Sequence, residues 1–196
     1  MPYAQNLAPV DGELYFIKQF YQAAVADELF QQLLTGLAWQ EESIFIFGRW
    51  VKVPRLMCWY GDEQAFYQYS HVVHRPLPWT ALLRNIQQDI EQASGYSFNS
   101  VLGNLYRDGH DSMGCHADDE KELGRNPVIA SLSLGDSRLL KFKHQYSNRK
   151  FDVLLEHGDL LIMAGTLQHH WQHQLPKTRQ HKTERINLTF RTIFQV

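Results

Sequence analysis

An imidazole and a carboxylate stand two positions apart at His116 and Asp118, within the run from Asn104 to Glu120. On an extended backbone successive side chains alternate between faces, so these two would project to the same side. Two histidines and one carboxylate can occupy one face of an octahedral metal and leave the remaining positions open. The pair predicts two of the three ligands of such a site, although a solvated turn can have the same spacing.

The third ligand has to come from another part of the chain, and the run from Gln168 to Pro176 contains three histidines. If this run is a strand, His169 and His173 lie on one face and His170 lies on the other. The spacing does not choose between His169 and His173. A histidine in such a strand is also often a packing or surface residue, so the run supports a metal site without identifying the ligand.

Polar and apolar side chains alternate in the last predicted strand, whose polar face carries Arg185, Asn187, Thr189 and Arg191. The two arginines would be roughly 20 Å apart along a strand, and their long side chains could fold inward onto the two ends of a small dicarboxylate. A guanidinium suits that role because it binds a carboxylate through two parallel hydrogen bonds. Asn104 and Tyr106, again two apart, could add hydrogen bonds. The alternative is an amphipathic strand whose polar face lies in water.

The composition is that of an ordinary globular protein: of 196 residues, 44% are hydrophobic and 20% are charged. This length suits one domain, expected to span residues 1–196. The sequence has neither a basic N-terminal region followed by an apolar run nor a long uncharged segment, so we expect a cytoplasmic protein without a membrane span. Only Cys58 and Cys115 are present, and both are expected to be reduced. We also expect a monomer.

The formal net charge of −2 gives no overall signature of nucleic-acid binding. Any such partner would have to be bound by local basic segments. Two are present, residues 138–144 together with Arg149 and Lys150, and residues 177–182. Each could equally be an ordinary solvated loop.

Hydrophobic periodicity predicts two helices, over residues 27–35 and 79–93, in a chain that otherwise consists mostly of short strands. Strands are predicted at 13–17, across 44–55 with a break at Gly48, and at 66–69. After Gly95 they follow at 101–106, 128–134, 138–144, 151–155, 159–164, 169–175 and 185–194. Many short strands behind two helices indicate an α+β, mainly β fold with a jelly-roll (double-stranded β-helix) core over residues 101–194 and flanking N-terminal helices and strands.

Several motifs occur together and in order along the chain. They are the run Asn104–Glu120, the segments Pro127–Gly135 and His157–Met163, the run Trp171–Pro176 and the strand Arg185–Arg191. With these motifs the chain from Phe45 onward resembles the AlkB family of Fe(II)/2-oxoglutarate dioxygenases, and among them the members that repair duplex and single-stranded DNA. The resemblance implies that His116, Asp118 and His173 bind the iron, which makes His173 the third ligand.

The same resemblance implies how 2-oxoglutarate is bound. Arg185 would bind the carboxylate far from the keto group, and Arg191 the carboxylate beside it. Asn104, Tyr106, Asn187 and Thr189 would line the site. Iron, 2-oxoglutarate and O₂ would together oxidise an N-methyl group, with release of succinate and formaldehyde and recovery of the unmodified base.

For the substrate, the resemblance implies alkylated DNA, with RNA as an alternative. A methylated base in a duplex must be flipped out of the stack to reach a buried metal. Residues 44–70 would form the substrate-recognition region. In it, Phe47 and Gly48 resemble a finger that fills the gap left by the flipped base, and Arg55 would contact the lesion. Phe47 could instead be a core residue of an edge strand.

A clamp for the flipped base is implied at Tyr67 and Tyr69, opposite His116. Asp119 and Glu120 would supply acceptors and negative charge for cationic bases such as 1-methyladenine and 3-methylcytosine. The alternatives are core packing for the two tyrosines and a solvated turn for the two acidic residues.

Two other functions remain open at this point. One is an enzyme of the same chemistry that acts on protein or lipid, and the basic segments and the tyrosine pair argue against it. The other is a module that recognises modified nucleic acid without turnover. The complete set of candidate ligands and arginines argues against that function.

Overall fold

The computed structural model describes residues 5–46, 48–69 and 72–195, and for residues 44–46, 67–69 and 72–73 it describes the backbone alone. The larger sheet has the strand order β1 (Glu13–Ile17), β12 (Leu160–Ala164), β9 (Ile129–Gly135), β14 (Arg185–Arg191), β7 (Ser100–Tyr106), β3 (Arg49–Gly61) and β2 (Gln40–Ile46), with β6 (Leu77–Pro78) beside β3. The smaller sheet has the order β11 (Lys150–Leu155), β10 (Arg138–His144), β13 (Trp171–Leu175) and β8 (Met113–His116). A separate hairpin pairs β4 (Tyr67–Tyr69) with β5 (Val72–His74).

The strands from β7 to β14 form two layers of four strands each, which is the arrangement predicted for a jelly roll. Apolar side chains from both layers meet in one buried cluster between them, and the largest are Phe142 and Trp171 from the smaller sheet and Ile129 and Leu161 from the larger one. This cluster fills part of the space between the sheets. The rest of that space holds polar side chains.

The helices α1 (Ala23–Gly36) and α2 (Ala81–Ser94) cover the other face of the larger sheet. The side chain of Thr80 accepts a hydrogen bond from the N–H of Leu83 at 3.1 Å and caps the start of α2, and Gly95 ends it in the left-handed conformation. A third helix, α3 (Leu167–His170), is a single turn directly before β13. Within the described residues, no helix is long and apolar enough to cross a membrane.

Strand β14 lies inside the larger sheet, between β7 and β9. Its apolar side chains face the helices and are fully buried. Its polar side chains are buried as well, since Arg185, Asn187 and Thr189 keep only 2%, 9% and 7% of their surface exposed. The alternative of a polar face in water is therefore wrong: this face points into the space between the two sheets.

The β2–β3 hairpin extends beyond the rest of the larger sheet. Only Leu56–Gly61 of β3 pair with β7, whereas Arg49–Lys52 pair with β2 alone. The ladder between β2 and β3 is irregular where the single residue Glu42 faces Val53, Pro54 and Arg55. Pro54 has no N–H to donate, so a break in the pairing is expected there.

Most element bounds agree with the sequence prediction within two residues, and the clearest difference concerns residues 169–175. Instead of one strand, the structure has α3 followed by β13, and the N–H of His169 bonds to the carbonyl of Thr166 at 3.0 Å, as in a helical turn. The predicted face sharing of His169 and His173 is therefore wrong. Helix α1 also begins four residues earlier than predicted, at Ala23.

Candidate metal centre

Three side chains converge at one end of the space between the sheets. The nearest ligand atoms of His116, Asp118 and His173 all lie within 4.8 Å of one another. His116 ends β8 and pairs directly with His173 on β13, which brings their rings to a centroid distance of 4.3 Å. Asp118 follows two residues after the end of β8 and places a carboxylate oxygen 3.7 Å from Nε2 of His173. The three residues that the sequence and the resemblance identified are thus brought together.

The hydrogen bonds of His116 leave one nitrogen available to a metal. Its Nδ1 lies 2.9 Å from the carbonyl oxygen of Gly114. A carbonyl can only accept, so Nδ1 carries the proton and the neutral ring keeps a lone pair on Nε2. Histidine ligands of metals commonly have such a partner on the second nitrogen, because it fixes the tautomer and the ring orientation.

The protonation states at this cluster also suit a divalent cation. Burial, together with the neighbouring His116, lowers the pKa of His173 to about 4. Burial by itself would raise the pKa of Asp118, but Arg191 and the two histidines more than offset it and hold that pKa below the ordinary value. At neutral pH His173 is therefore a neutral imidazole and Asp118 a carboxylate, and with His116 they form the donor set of a two-histidine, one-carboxylate metal site.

A second cluster of metal-type side chains, Asp11, His144 and His170, is less suited to a metal. Nδ1 of His144 accepts a hydrogen bond from the backbone N–H of Tyr146 at 3.2 Å. The proton of the neutral ring is then on Nε2, which lies 3.1 Å from the Asp11 carboxylate and donates to it. This histidine has no lone pair facing the cluster, so the group is a hydrogen-bonded link between the N-terminal segment and β10.

A pocket between the sheets joins the first cluster to the polar face of β14. Its lining includes all three candidate ligands and both arginines of that strand, Arg185 and Arg191. Arg185 is buried and donates to the hydroxyl of Ser133 at 2.8 Å, and its guanidinium carbon lies 5.3 Å from the ring centre of Tyr106. Its Nε has no hydrogen-bond partner within the described part of the chain. A buried cation with an unsatisfied donor suits an anionic ligand such as a carboxylate.

The other polar residues predicted to line this pocket are connected by hydrogen bonds. Thr189 donates to Asn187 at 3.0 Å, and Asn187 donates to Ser131 at 2.8 Å. The side-chain oxygen of Asn104 accepts a hydrogen bond from Nε of Arg55 at 2.7 Å. These contacts hold the polar wall in one conformation. The serines of β9 were not recognised from the sequence, although Ser131 and Ser133 also alternate with leucines there.

A wider groove adjoins the pocket on the side of the β2–β3 hairpin, and the two share Met113 and Arg191 in their linings. Apolar side chains from β3 and β7 line much of it, and Arg55 lies at its wall. Arg55 is 8% exposed, and its guanidinium also donates to the carbonyl of Ser112 at 3.2 Å. The lesion-contacting residue predicted from the resemblance is therefore mostly occupied by contacts within the protein.

Glu42 is the only acidic residue in the described lining of this groove. It sits at the irregular position opposite Pro54, and within the described residues it has no ion pair. Its neighbour Glu41 instead pairs with Lys52 at 2.6 Å. Sequence reasoning did not identify Glu42, but Pro54 was a usable signal because proline inside a strand pattern often marks a bulge.

The remaining predicted substrate residues are only partly described. Phe47 and the side chains of Tyr67 and Tyr69 lie outside the described residues. Gly48 has a φ of 78° and occupies the turn between the paired residues Ile46 and Arg49, so the predicted glycine break is confirmed. Asp119 and Glu120 are exposed and contribute nothing to the described lining of the groove or the pocket. Their predicted contact with a base stays a prediction.

The two basic segments differ in how much of their charge is available. In the first, Arg138 is buried and donates to three backbone carbonyls, those of Asp108, Asp111 and Pro176. Its charge is therefore not available at the surface, although Lys143 remains exposed. In the second, Lys182 pairs with Asp136 at 3.0 Å, and Lys177 and Arg179 are exposed.

Comparison with known proteins places this geometry in context. Residues 13–191 match a family model described as the 2OG-Fe(II) oxygenase superfamily. Alpha-ketoglutarate-dependent dioxygenase alkB homolog 3 from Bos taurus is 39% identical over 186 residues, which cover 89% of this chain and 64% of that protein. DNA oxidative demethylase ALKBH2 from Homo sapiens is 38% identical over 181 residues, 87% of this chain and 69% of that protein. The chain thus spans slightly less than two thirds of the bovine relative.

A solved structure supports the architecture. The structure of OsALKBH1 superposes with a TM-score of 0.64 over 93% of this chain and 98% of that one, at 20% sequence identity. At this identity the likeness concerns the fold alone, and it confirms the predicted jelly-roll architecture.

Proposed function

The chain belongs to the 2OG-Fe(II) oxygenase superfamily, and on this premise we propose that it is an Fe(II)- and 2-oxoglutarate-dependent dioxygenase that removes N-alkyl groups from nucleic-acid bases. One observation carries the proposal: a single pocket contains the cluster of His116, Asp118 and His173 together with both arginines of β14. A metal and a dicarboxylate could therefore be held side by side between the sheets.

In this proposal the three clustered side chains hold Fe(II), and the pocket holds 2-oxoglutarate. Arg185, deep in the pocket, binds the carboxylate far from the keto group, and its free Nε supplies a further donor. Arg191 lies beside Asp118 and binds the carboxylate next to the keto group. Asn104, Tyr106, Asn187 and Thr189 shape the wall around the chain of the acid.

Bound Fe(II), with 2-oxoglutarate and O₂, supplies the oxidising chemistry. In the overall balance 2-oxoglutarate and O₂ give succinate and CO₂, and one oxygen atom enters the C–H bond of an N-methyl group. The hydroxymethyl group then leaves the nitrogen as formaldehyde. The protein positions the methyl group and keeps water away, since the buried pocket is enclosed by both sheets.

Nucleic acid is the proposed substrate class because the chain is similar to the dioxygenase alkB homolog 3 and to the DNA oxidative demethylase ALKBH2. The groove beside the pocket supports this choice, since it offers apolar walls for a flipped base and borders the proposed metal site through Met113 and Arg191. Residues 44–70 form the recognition region, with Phe47 as the wedge and Tyr67 and Tyr69 as the clamp.

The proposed lesions are 1-methyladenine and 3-methylcytosine, which carry a positive charge. Glu42 in the groove offers a carboxylate with no ion pair among the described residues. Asp119 and Glu120 offer two more acidic groups outside the described lining. Negative charge near the base favours a cationic substrate over a neutral one. The monomeric state and cytoplasmic location stay predictions from the sequence.

The experiment that tests the function compares three reactions of the protein with Fe(II) and 2-oxoglutarate. They contain a 1-methyladenine oligonucleotide, a methylated peptide, or neither, and succinate and formaldehyde are measured. Stoichiometric formaldehyde with the oligonucleotide alone is expected, and His116→Ala should abolish it. Formaldehyde with the peptide alone would replace nucleic acid by protein as substrate. Tight oligonucleotide binding without either product would indicate a non-catalytic reader.

A further inference from the structure

Gln168 makes a buried contact with the metal cluster that the proposed function does not use. It is the second residue of α3 and precedes His173 by five positions. Only 1% of its surface is exposed. Its side-chain oxygen accepts a hydrogen bond from the backbone N–H of Asp118, with an N–O distance of 3.0 Å. The contact joins residues that are 50 positions apart in the chain.

The orientation of this amide follows from its partners. A backbone N–H can only donate, so the oxygen of Gln168 has to face Asp118. The amide nitrogen then points to the sulfur of Met163 on β12, at 3.6 Å. A thioether is a weak acceptor, which suits the nitrogen side of the amide. The side chain thus connects α3, β12 and the segment after β8.

Asp118 depends on this contact because it lies beyond the regular strand. β8 ends at His116, the last residue on this side that pairs with β13, so Asp118 lies two residues beyond the ladder. The backbone N–H of Asp118 therefore bonds to the Gln168 side chain instead of to a neighbouring strand. Arg191 holds the carboxylate of the same residue. Two contacts, one at the backbone and one at the carboxylate, fix how Asp118 points into the cluster.

We propose that Gln168 is a positioning residue of the metal centre, which acts through the backbone of Asp118 to aim its carboxylate at the metal. The inference rests on the proposed role of Asp118 as a ligand. Because α3 leads directly into the strand of His173, Gln168 also ties two ligand-bearing segments together. Groups that orient metal ligands typically change metal affinity by about 10- to 100-fold when they are replaced.

The test measures metal affinity without turnover. The metal-free protein is titrated with Mn(II), and free Mn(II) is followed by electron paramagnetic resonance. Gln168→Met has a similar length but no oxygen acceptor, and we expect it to raise the Kd by at least about tenfold. Gln168→Glu keeps an acceptor oxygen for the N–H of Asp118, so its Kd should rise less than that of Gln168→Met. Gln172→Met is the matched control. Gln172 lies on the face of β13 opposite to His173, and its side-chain oxygen accepts a hydrogen bond from Cys115 at 3.4 Å.

Two further measurements separate positioning from a general loss of stability. Thermal unfolding of the metal-free variants shows how much each substitution destabilises the fold. Amide hydrogen exchange shows whether the N–H of Asp118 loses protection in Gln168→Met and keeps it in Gln168→Glu. A lower Tm together with an unchanged Mn(II) Kd in Gln168→Met would overturn the inference.

If Gln168→Met does not fold, Gln168→Asn is titrated with Mn(II) instead. Its shorter amide is polar and does not reach Asp118, so its Kd should also rise by at least about tenfold, and an unchanged Kd would overturn the inference. Failure of the wild-type protein to bind Mn(II) would overturn the proposed metal centre and this inference with it. Wild-type binding with no effect of Gln168 variants overturns this inference alone. The two failures are therefore distinguishable.

Discussion

The guanidinium of Arg191 lies 2.5 Å from a carboxylate oxygen of Asp118, joining the end of β14 to the segment that follows β8. Asp118 is only 2% exposed, and a buried carboxylate without a partner would be costly to ionise. Arg191 contributes to holding its pKa below the ordinary value. The strand proposed to bind 2-oxoglutarate thus also keeps a proposed metal ligand in its charged form.

Arg191→Lys should weaken the use of 2-oxoglutarate even though it keeps the charge. An ammonium is a point charge and cannot reproduce the planar fork of a guanidinium. We expect the KM for 2-oxoglutarate to rise by about tenfold, or about 1.4 kcal/mol, and Arg185→Ala should raise it as well. Succinate formation against 2-oxoglutarate concentration measures this at saturating Fe(II), with the exposed residue Arg125 changed to lysine (Arg125→Lys) as control. Unchanged KM values in both pocket variants would show that β14 does not bind the co-substrate.

Removal of any one residue of the cluster should abolish both metal binding and turnover. His116→Ala, Asp118→Ala and His173→Ala each leave two protein ligands, too few for a defined open site. His169→Ala should behave as wild type, because that ring is exposed and lies 3.0 Å from the Asn126 side chain. Metal content and formaldehyde release are measured for all four. Loss of iron in His169→Ala with iron retained in His173→Ala would identify a different third ligand.

Glu42→Gln should reduce the preference for cationic lesions. An interaction of an exposed carboxylate with a charge is worth about 0.2–1 kcal/mol, so kcat/KM on 1-methyladenine should fall by up to about fivefold. A neutral base such as 3-methylthymine should be repaired at the wild-type rate. Glu120→Gln tests the sequence-based assignment in the same assay, and Glu28→Gln on α1 is the control. Selective loss in Glu120→Gln, with none in Glu42→Gln, would favour the assignment made from the sequence.

Phe47→Ala should impair repair of duplex DNA more than repair of single strands. If Phe47 fills the gap left by a flipped base, the contact is made only in a duplex, and base stacking on an aromatic ring is worth about 1–3 kcal/mol. Duplex kcat/KM on 1-methyladenine should therefore fall by about one to two orders of magnitude. Both contexts are compared at fixed salt, because phosphate contacts depend on salt. Equal losses in both contexts with a lower Tm would indicate a core residue instead.

The two cysteines should differ in their reaction with iodoacetamide. Burial raises the pKa of the Cys58 thiol to about 12, whereas Cys115 is exposed. The thiolate is the reactive form, so at pH 8 only on the order of one Cys58 in ten thousand is reactive. Peptide mass spectrometry of the folded protein should find one label, on Cys115, and two labels after unfolding in guanidinium. Early labelling of Cys58 would mean that the sheet around it opens readily.

The sequence predicted the site best where residues with useful chemistry also follow a regular spacing. The alternation along residues 185–191 predicted strand β14 and its polar face, because period-two patterns are a direct property of extended backbone. It could not show that this face is buried. That depends on the second sheet, whose strands lie opposite β14 only after the chain has folded.

Prediction of secondary structure from residue spacing failed where tertiary contacts determine the backbone conformation. The single helical turn α3 is four residues long, too short for a periodic signal, and it moves His169 away from the face of His173. Gln168 was passed over for the same reason. Its role becomes visible only when its side chain is found beside a backbone N–H from a segment 50 residues earlier.

The part of the β2–β3 hairpin that extends beyond β7 can change its sequence with little effect on the rest of the larger sheet. Residues 49–52 pair with β2 alone, so changes there need not disturb the pairing that holds β14. Two-stranded ribbons are marginally stable by themselves and twist more strongly than wide sheets. New preferences for substrate could therefore be acquired by altering this ribbon while the proposed metal and co-substrate sites stay as they are. The hydrogen bond of Arg55 to Asn104 marks where this ribbon meets the wall of the pocket.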